Sequence, residues 1–166
     1  VHVTGHNGAL ALSPADKDIA IYTNLEWSVQ RTSDGGDTWQ SVAGGTAETG
    51  GVKPFTAITF SKDQPNIVYA SALRSGDSRG GIWPAEPIDL YKSTDAGETW
   101  EIVGTCETCS AIENIVVMEG DSDFLWVAAD GGLQFTKDGG RTWSGNVIPY
   151  LVEKGQDSRL INEDGP

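Results

Sequence analysis

The feature that most constrains this chain is an eight-residue motif that occurs three times, at residues 32–39, 93–100 and 136–143. Its pattern is a hydroxyl residue, any residue, Asp, a small residue, Gly, any residue, Thr and Trp. Each copy lies between two strand-like segments. Three copies in register therefore indicate a repeat protein, in which each repeat is one supersecondary unit that buries its apolar face against its neighbours.

Each copy reads as the loop of a β-hairpin. Trp27–Arg31 precedes the first copy with alternating apolar and polar residues, and Thr38–Val42 follows as the returning strand. Glycine suits the loop because a tight turn needs positive φ, and the Asp carboxylate can accept backbone N–H groups. The acid recurs in every unit, whereas a reaction needs one site. We therefore interpret the acid as structural rather than catalytic.

The residues common to the copies carry specific expectations. The Gly shared by all three should need positive φ, whereas the position before it, which is Ala96 in the second copy, should not. The Trp is large enough to be buried against the next unit, and Trp126, in the middle of a strand, is expected in the core. The predicted structural loop residues are Asp34, Gly36, Thr38, Trp39, Asp95, Gly97, Thr99, Trp100, Asp138, Gly140, Thr142 and Trp143.

The motif resembles the Asp-box, also called the BNR repeat. That repeat occurs in sialidases, in xyloglucanase-type glycoside hydrolases, in the sortilin family of receptors and in a photosystem assembly factor. The resemblance implies an all-β fold, a β-propeller segment of three four-stranded antiparallel blades with the Asp-box turn between strands three and four. It occurs in enzymes and in non-enzymes, so it implies a fold rather than a function.

Apolar runs and turn segments divide the chain into units. We predict a lead-in at 1–8, blade 1 at 9–54, blade 2 at 55–111, blade 3 at 112–148 and a connector or tail at 149–166. The first strand of each unit is the most continuously apolar, as expected of an inner strand packed on both faces. Propellers need roughly four to eight blades. We therefore expect further blades, from a second copy or from another chain.

Composition excludes some classes of partner. The net charge of −13 and the pI of about 4.3 argue against nucleic acid and against anionic membrane surfaces. No run of 18 apolar residues occurs, so we expect no membrane insertion. Nothing in the sequence indicates a cofactor.

The two cysteines, Cys106 and Cys109, are three positions apart. The favoured interpretation is a local disulfide, and the alternative is a pair of free thiols. A zinc site lacks two further ligands at suitable spacing, and a site formed by His2 and His6 alone is not expected, so we predict no metal. A disulfide would place the protein outside the cytoplasm, either secreted or in the cell envelope.

The second unit contains an insertion at 74–87 that the repeat does not require. Loops longer than a repeat needs are often functional, and aromatic and charged side chains can grip a sugar. The insertion could equally be a packing flap between subunits. The predicted ligand-binding residues, on the face opposite the repeated loops, are Arg74, Arg79, Trp83, Glu26 and Trp27.

Catalysis would need two carboxylates at a defined separation, about 5–5.5 Å for retention or 6.5–9.5 Å for inversion. The candidate acids are Asp77, Glu86 and Asp130, and Asp89 lies on the same predicted face. No Arg-Ile-Pro element occurs, so the resemblance to sialidases does not extend to their catalytic signature. We predict a binding or structural module for a protein or glycan ligand, as in the sortilin-like propellers. The alternative is part of a glycoside hydrolase of the xyloglucanase or sialidase type.

Overall fold

The computed structural model is all-β, and the part of the chain that it describes contains no helix. Its strands form three separate antiparallel sheets, each built from strands that follow one another along the chain. This is the all-β arrangement that the repeats predict. The residues that the structure describes are 9–23, 29–42, 55–72, 88–109, 112–129, 132–145 and 147.

Sheets 1 and 2 each have four strands in sequential order. In sheet 1 the strands are β1 (Leu10–Leu12), β2 (Ala20–Thr23), β3 (Val29–Thr32) and β4 (Gln40–Val42). In sheet 2 they are β5 (Phe55–Phe60), β6 (Val68–Ala72), β7 (Ile88–Ser93) and β8 (Glu101–Cys106).

Sheet 3 contains β9 (Ile112–Met118), β10 (Asp121–Ala129) and β11 (Gly132–Thr136). The fourth strand expected from Thr142 onward is not formed as a regular strand in the described residues. Two backbone hydrogen bonds nevertheless join this segment to β11. The Ser144 amide donates to the Phe135 carbonyl at 2.9 Å, and the Val147 amide donates to the Leu133 carbonyl at 2.8 Å.

The core has two parts, one at each junction between sheets. Between sheets 1 and 2 the fully buried Ile21 and Val29 meet Phe55, Tyr91 and other residues of sheet 2. Between sheets 2 and 3 the cluster contains Ile88, Leu90, Ile112, Leu125 and Val127, among others. Each sheet therefore buries its apolar residues against the next, as a repeat architecture requires.

The expectation that first strands are packed on both faces is wrong. Strand β1 alternates between exposed and buried residues, and β9 has four exposed residues. The strand buried at every position is β6, the second strand of the middle sheet, since sheet 2 is covered by sheet 1 on one side and by sheet 3 on the other. Continuous burial follows from the central position of the sheet.

The three repeated loops, residues 32–39, 93–100 and 136–143, follow β3, β7 and β11. Each loop lies beside the turn after the first strand of its own sheet. The Gly35 and Ala96 amides donate to carbonyls in that turn, at 3.0 and 2.8 Å, and the Gly139 amide donates to the Asp123 carbonyl near the start of β10, at 2.9 Å. Ala96 has a φ of 56°, close to the 74° of Gly35 and the 70° of Gly139. The expectation that this position needs no positive φ is therefore wrong. In the second loop an alanine adopts the left-handed conformation in spite of its energetic cost.

The next glycine in each loop packs against the preceding sheet where one is present. A Cβ at Gly97 would lie 2.2 Å from the Ile21 Cδ1 of sheet 1, and one at Gly140 would lie 2.4 Å from the Leu90 Cδ2 of sheet 2. A Cβ at Gly36 would come no closer than 3.9 Å to any atom, and that atom belongs to Trp39 of its own loop. Gly97 and Gly140 thus allow close packing between sheets.

Gly97→Ala and Gly36→Ala form a matched pair, because both glycines have positive φ, 88° and 101°. The backbone cost of about 1 kcal/mol is common to both, whereas only Gly97→Ala adds a clash with the buried Ile21 side chain. We expect unfolding free energy to fall by about 3 kcal/mol for Gly97→Ala and by about 1 kcal/mol for Gly36→Ala in urea titrations. Equal losses would contradict the packing of this loop on sheet 1.

Candidate functional site

The residues predicted to bind a ligand or to catalyse lie outside the described residues. This applies to the insertion at 74–87, to residues 24–28 and to residue 130, so their positions stay predictions. The residues concerned are Arg74, Arg79, Trp83, Glu26, Trp27, Asp77, Glu86 and Asp130. The neighbouring acid Asp89 is described and is buried in sheet 2, where its Oδ1 accepts a hydrogen bond from the Thr105 hydroxyl at 3.0 Å.

The first repeated loop is closed by the carboxylate of Asp34. Its Oδ1 accepts from the Thr32 hydroxyl at 2.7 Å and from the Thr38 amide at 2.9 Å, and its Oδ2 accepts from the Thr38 hydroxyl at 2.5 Å. The Thr32 hydroxyl oxygen in turn accepts from the Gly36 amide at 3.0 Å. Both carboxylate oxygens are therefore occupied by donors of the same loop.

The same network recurs in the other two loops. In the second, Asp95 accepts from Ser93 and Thr99, and the Gly97 amide donates to the Ser93 hydroxyl at 2.8 Å. In the third, Asp138 accepts from Thr136 and Thr142, and the Gly140 amide donates to the Thr136 hydroxyl at 2.9 Å. Serine and threonine are interchangeable at the first position because only the hydroxyl is used.

These hydrogen bonds stabilise the ionised carboxylates. Donation by the Thr38 hydroxyl, then by the Thr38 amide and the Thr32 hydroxyl, lowers the pKa of Asp34 from 3.8 to about 2. Donation by Thr142 likewise lowers the pKa of Asp138 to about 2. At Asp95 partial burial opposes the shift, but hydrogen bonds from Thr99 and Ser93 outweigh it and the pKa is lowered.

The loop tryptophans do not pack as the sequence predicts. Trp100 is 9% exposed and lies in the cluster between sheets 1 and 2, with its ring 4.8 Å from that of Phe55. Trp143 is half-buried against the cluster between sheets 2 and 3. Both therefore lie against the preceding sheet, not the next one. Trp39 in the first loop is 43% exposed, since no sheet formed by the described residues lies before sheet 1.

A basic residue in the third strand connects each sheet to the next. The Arg31 Nε donates to the Ala96 carbonyl at 2.9 Å, and an Arg31 Nη2 lies 3.3 Å from Glu98. The Lys92 ammonium donates to Asp123 Oδ1 at 2.9 Å, and the buried Tyr69 hydroxyl donates to the same oxygen at 3.1 Å. The bond from Lys92, followed by that from Tyr69, lowers the pKa of Asp123 despite its partial burial.

These basic residues were missed by sequence reasoning, although a signal exists. Arg31 and Lys92 each come directly before the hydroxyl residue of a repeated loop, whereas Phe135 holds that position in sheet 3. Aligning the three repeats on their loops would have shown the first two as equivalent. Trp126 was expected in the core but is only half-buried, in an aromatic group with Phe124 and Phe135 on the side of sheet 3 that faces away from sheet 2.

The structure joins Cys106 and Cys109 in a disulfide at the end of β8. Both cysteines are buried, and they lie against Gln134 of sheet 3. The Gln134 amide nitrogen lies 3.4 Å from the Cys109 sulfur and 3.0 Å from the Thr108 hydroxyl oxygen. The disulfide loop thus contacts the third strand of the next sheet, at the end of the sheets away from the repeated loops.

A cleft of about 270 Å³ lies between β1 and β5 and is lined by residues 10–12 and 58–60 of these strands together with Pro14 and Lys62. Among the described residues no group of three or more His, Cys, Asp or Glu is placed to hold a metal ion. Within the same ranges no helix is long and apolar enough to cross a membrane.

No protein-family model matches the chain, and no curated protein matches it. Solved structures do match. An ancestral GH74 enzyme superposes with a TM-score of 0.64 at 17% identity over 84% of this chain. YCF48 from Cyanidioschyzon merolae gives 0.61 at 18% identity over 81%. The GH74 xyloglucanase from Xanthomonas campestris gives 0.59 at 16% identity over 82%.

The chain has the fold of a β-propeller segment. At these identities the likeness shows the fold alone. The chain spans 18% of the ancestral GH74 enzyme, 38% of YCF48 and 20% of the xyloglucanase. Three sheets that match a minor part of each larger propeller are consistent with a partial propeller.

Thr142→Val should raise the pKa of Asp138 from about 2 toward its usual value of 3.8, because it removes the hydroxyl donor with the largest effect. A depressed pKa in the folded state stabilises the protein above the unfolded-state pKa, and this stabilisation is lost as pH falls through the folded value, here between about pH 4 and pH 2. Carboxyl NMR titration would show the shift. Asp34 is the internal control, and a shift of both residues would contradict a local effect.

Replacing both Cys106 and Cys109 with alanine should lower the unfolding free energy by about 2 kcal/mol, because so small a ring restrains the unfolded chain only modestly. Urea unfolding of this variant, compared with the wild type under non-reducing conditions, measures the loss. Wild-type protein in reductant is the matched control. No loss in either sample would mean that the ring contributes nothing to stability.

Proposed function

We propose that this chain is a segment of an Asp-box propeller that acts outside the cytoplasm as a binding or structural module, within a larger ring. Its ligand is a protein or a glycan, held by loops at the end of the sheets opposite the repeated loops. The repeated loops themselves are the Asp-boxes, and their role is to fix each hairpin and to pack it on the preceding sheet.

The observation that carries this proposal is that the acid repeated in all three loops forms its hydrogen bonds within its own loop. In Asp34, Asp95 and Asp138 both carboxylate oxygens accept hydrogen bonds from donors of the same loop. A carboxylate held in this way, with its pKa lowered, is a poor general acid or base near neutral pH. The repeated residues therefore support architecture, and any ligand must be bound elsewhere.

The other end of the sheets is the better place for a ligand. We expect the insertion at 74–87 to supply Arg74, Arg79 and Trp83 there, and residues 24–28 to supply Glu26 and Trp27. Indole rings stack on sugar faces, and arginines and carboxylates hydrogen-bond to hydroxyl or peptide groups. One of the similar structures is of YCF48 bound to a D1 peptide, so peptide binding occurs in a protein of this fold.

The location outside the cytoplasm is supported by the Cys106–Cys109 disulfide, since disulfides persist in oxidising compartments. The net charge of −13 suits a protein that stays in solution there.

The alternative is part of a glycoside hydrolase of the xyloglucanase or sialidase-like type. The similarity of fold to two GH74 enzymes favours it, and Asp77, Glu86 and Asp130 would be the acids available at the ligand end. Catalysis would require two of these acids, or one of them with an acid of further blades, at glycosidase separation.

Assays on a panel of β-glucans, including xyloglucan, separate the two functions. The proposal predicts no release of product by the wild type and, for a glycan that binds, about tenfold weaker binding by Trp83→Ala, as expected from losing one stacking contact of about 1.4 kcal/mol. Isothermal titration calorimetry measures that change. Glu119→Ala, an exposed acid in the turn after β9, is the matched control.

Hydrolysis by the wild type would contradict the proposal. If that activity were lost in the double variant Asp77→Ala with Glu86→Ala and kept in Glu119→Ala, the alternative function would hold.

A further inference from the structure

The two outer faces of this three-sheet segment carry apolar side chains that no sheet of the described residues covers. The leading face is the side of sheet 1 that points away from sheet 2, formed by Leu10, Leu12, Tyr22 and Trp39. Their exposed fractions are 61%, 66%, 40% and 43%. The trailing face is the side of sheet 3 that points away from sheet 2, formed by Val116, Trp126, Phe135 and Lys137.

The two junctions inside the molecule show what the leading face lacks. At each of them a loop glycine meets a buried side chain of the preceding sheet, Gly97 on Ile21 and Gly140 on Leu90. At each of them the loop tryptophan lies against that sheet. Gly36 and Trp39 hold the same positions in the first loop without such a neighbour. The leading face therefore has the same loop glycine and tryptophan that pack on a preceding sheet at the two junctions.

The charges of the leading face fit a basic partner. Glu98, which receives Arg31 at the first junction, corresponds to Asp37, since each lies three positions after the loop Asp. Asp123, which receives Lys92 at the second junction, corresponds to Asp18, because both give their backbone carbonyl to the repeated loop of their own sheet. Both kinds of acid are thus present on the leading face, and within the described ranges Asp18 forms its ion pair with the exposed Lys17 next to it.

The trailing face carries a basic residue, Lys137, that complements Asp37 and Asp18 in charge. Trp126 holds the register position of Ile21 and Tyr69, the residues that the other two sheets present to their next neighbour. The position of Arg31 and Lys92 is taken by Phe135, but Lys137 lies two residues further on and its ammonium sits 5.2 Å over the Phe124 ring and 5.6 Å over that of Phe135. This face thus combines an apolar surface with one positive charge.

From this complementarity we propose that the leading face of one copy packs on the trailing face of a second copy, with Lys137 of one chain paired to Asp37 and Asp18 of the other. The proposal rests on the proposed function, because it takes the chain to be a propeller segment. Both faces occur on the same chain, so the contact is head-to-tail. In the proposed dimer, two such contacts close six sheets into a ring.

The test is the native mass in solution by analytical ultracentrifugation, at micromolar concentration and low salt. We expect twice the 17.6 kDa of the chain. Lys137→Glu and Asp37→Lys should each weaken association at least tenfold, since each places like charges together. The charge-swapped double variant should recover most of the lost affinity. Glu101→Lys makes the same change in charge as Asp37→Lys at an exposed position in β8 of the middle sheet, and it should leave the mass unchanged.

A basic side chain at position 37 should be compatible with folding, because Arg141 holds the equivalent position in the third loop. Circular dichroism checks each variant. A monomeric wild type, an open-ended series of larger masses, or a dimer indifferent to both single variants would overturn this inference. A monomer that binds ligand would overturn the dimer and leave the proposed function standing. A dimer that hydrolyses glucan would overturn the proposed function and leave the dimer standing.

Discussion

The structure depends on one short network, the carboxylate of a loop Asp that accepts hydrogen bonds from two hydroxyls and an amide of its own loop. Because the network is closed within the loop, it holds the hairpin rigid without help from outside. A rigid loop can present a glycine with no side chain to the preceding sheet, and this is how Gly97 and Gly140 approach Ile21 and Leu90. Local hydrogen bonding thus fixes the geometry at which whole sheets pack.

The way the sheets pack also explains why the described residues leave apolar surface at both ends of the series. A sheet that uses one face for its predecessor and the other for its successor leaves one face bare at each end of a series. Trp39 and Trp126 show this effect. Trp39 is exposed although its equivalent Trp100 is buried, and Trp126 is half-buried although Ile21 and Tyr69, at the equivalent register position, are fully buried. The exposed apolar surface is therefore a property of position in the series rather than of local sequence.

Much of the fold could be predicted, because the strict pattern of the loops and the short apolar runs beside them indicated repeated hairpins, and the resemblance of the loops to the Asp-box implied antiparallel sheets in sequential order. The misses have physical causes. The position of Ala96 was expected not to need positive φ, because alanine stands there in place of glycine, yet its φ in the loop is 56°. Trp39 was expected to be buried because its equivalents are large, but burial depends on a neighbouring sheet. Arg31 and Lys92 act across junctions, which one repeat read alone does not show. The residues predicted to bind a ligand stay predictions.

The most direct test of the central claim, that the loop networks fix the packing of successive sheets, is amide hydrogen exchange measured by NMR. The amides of Gly97 and Gly140 are buried and bonded to loop hydroxyls at a junction, so they should exchange only through opening close to global unfolding. The Gly36 amide makes the same bond without a neighbouring sheet, and in the dissociated chain it should exchange through a smaller opening. Equal and weak protection at all three glycines would contradict the account, because the loops would then open independently of the sheets they pack on.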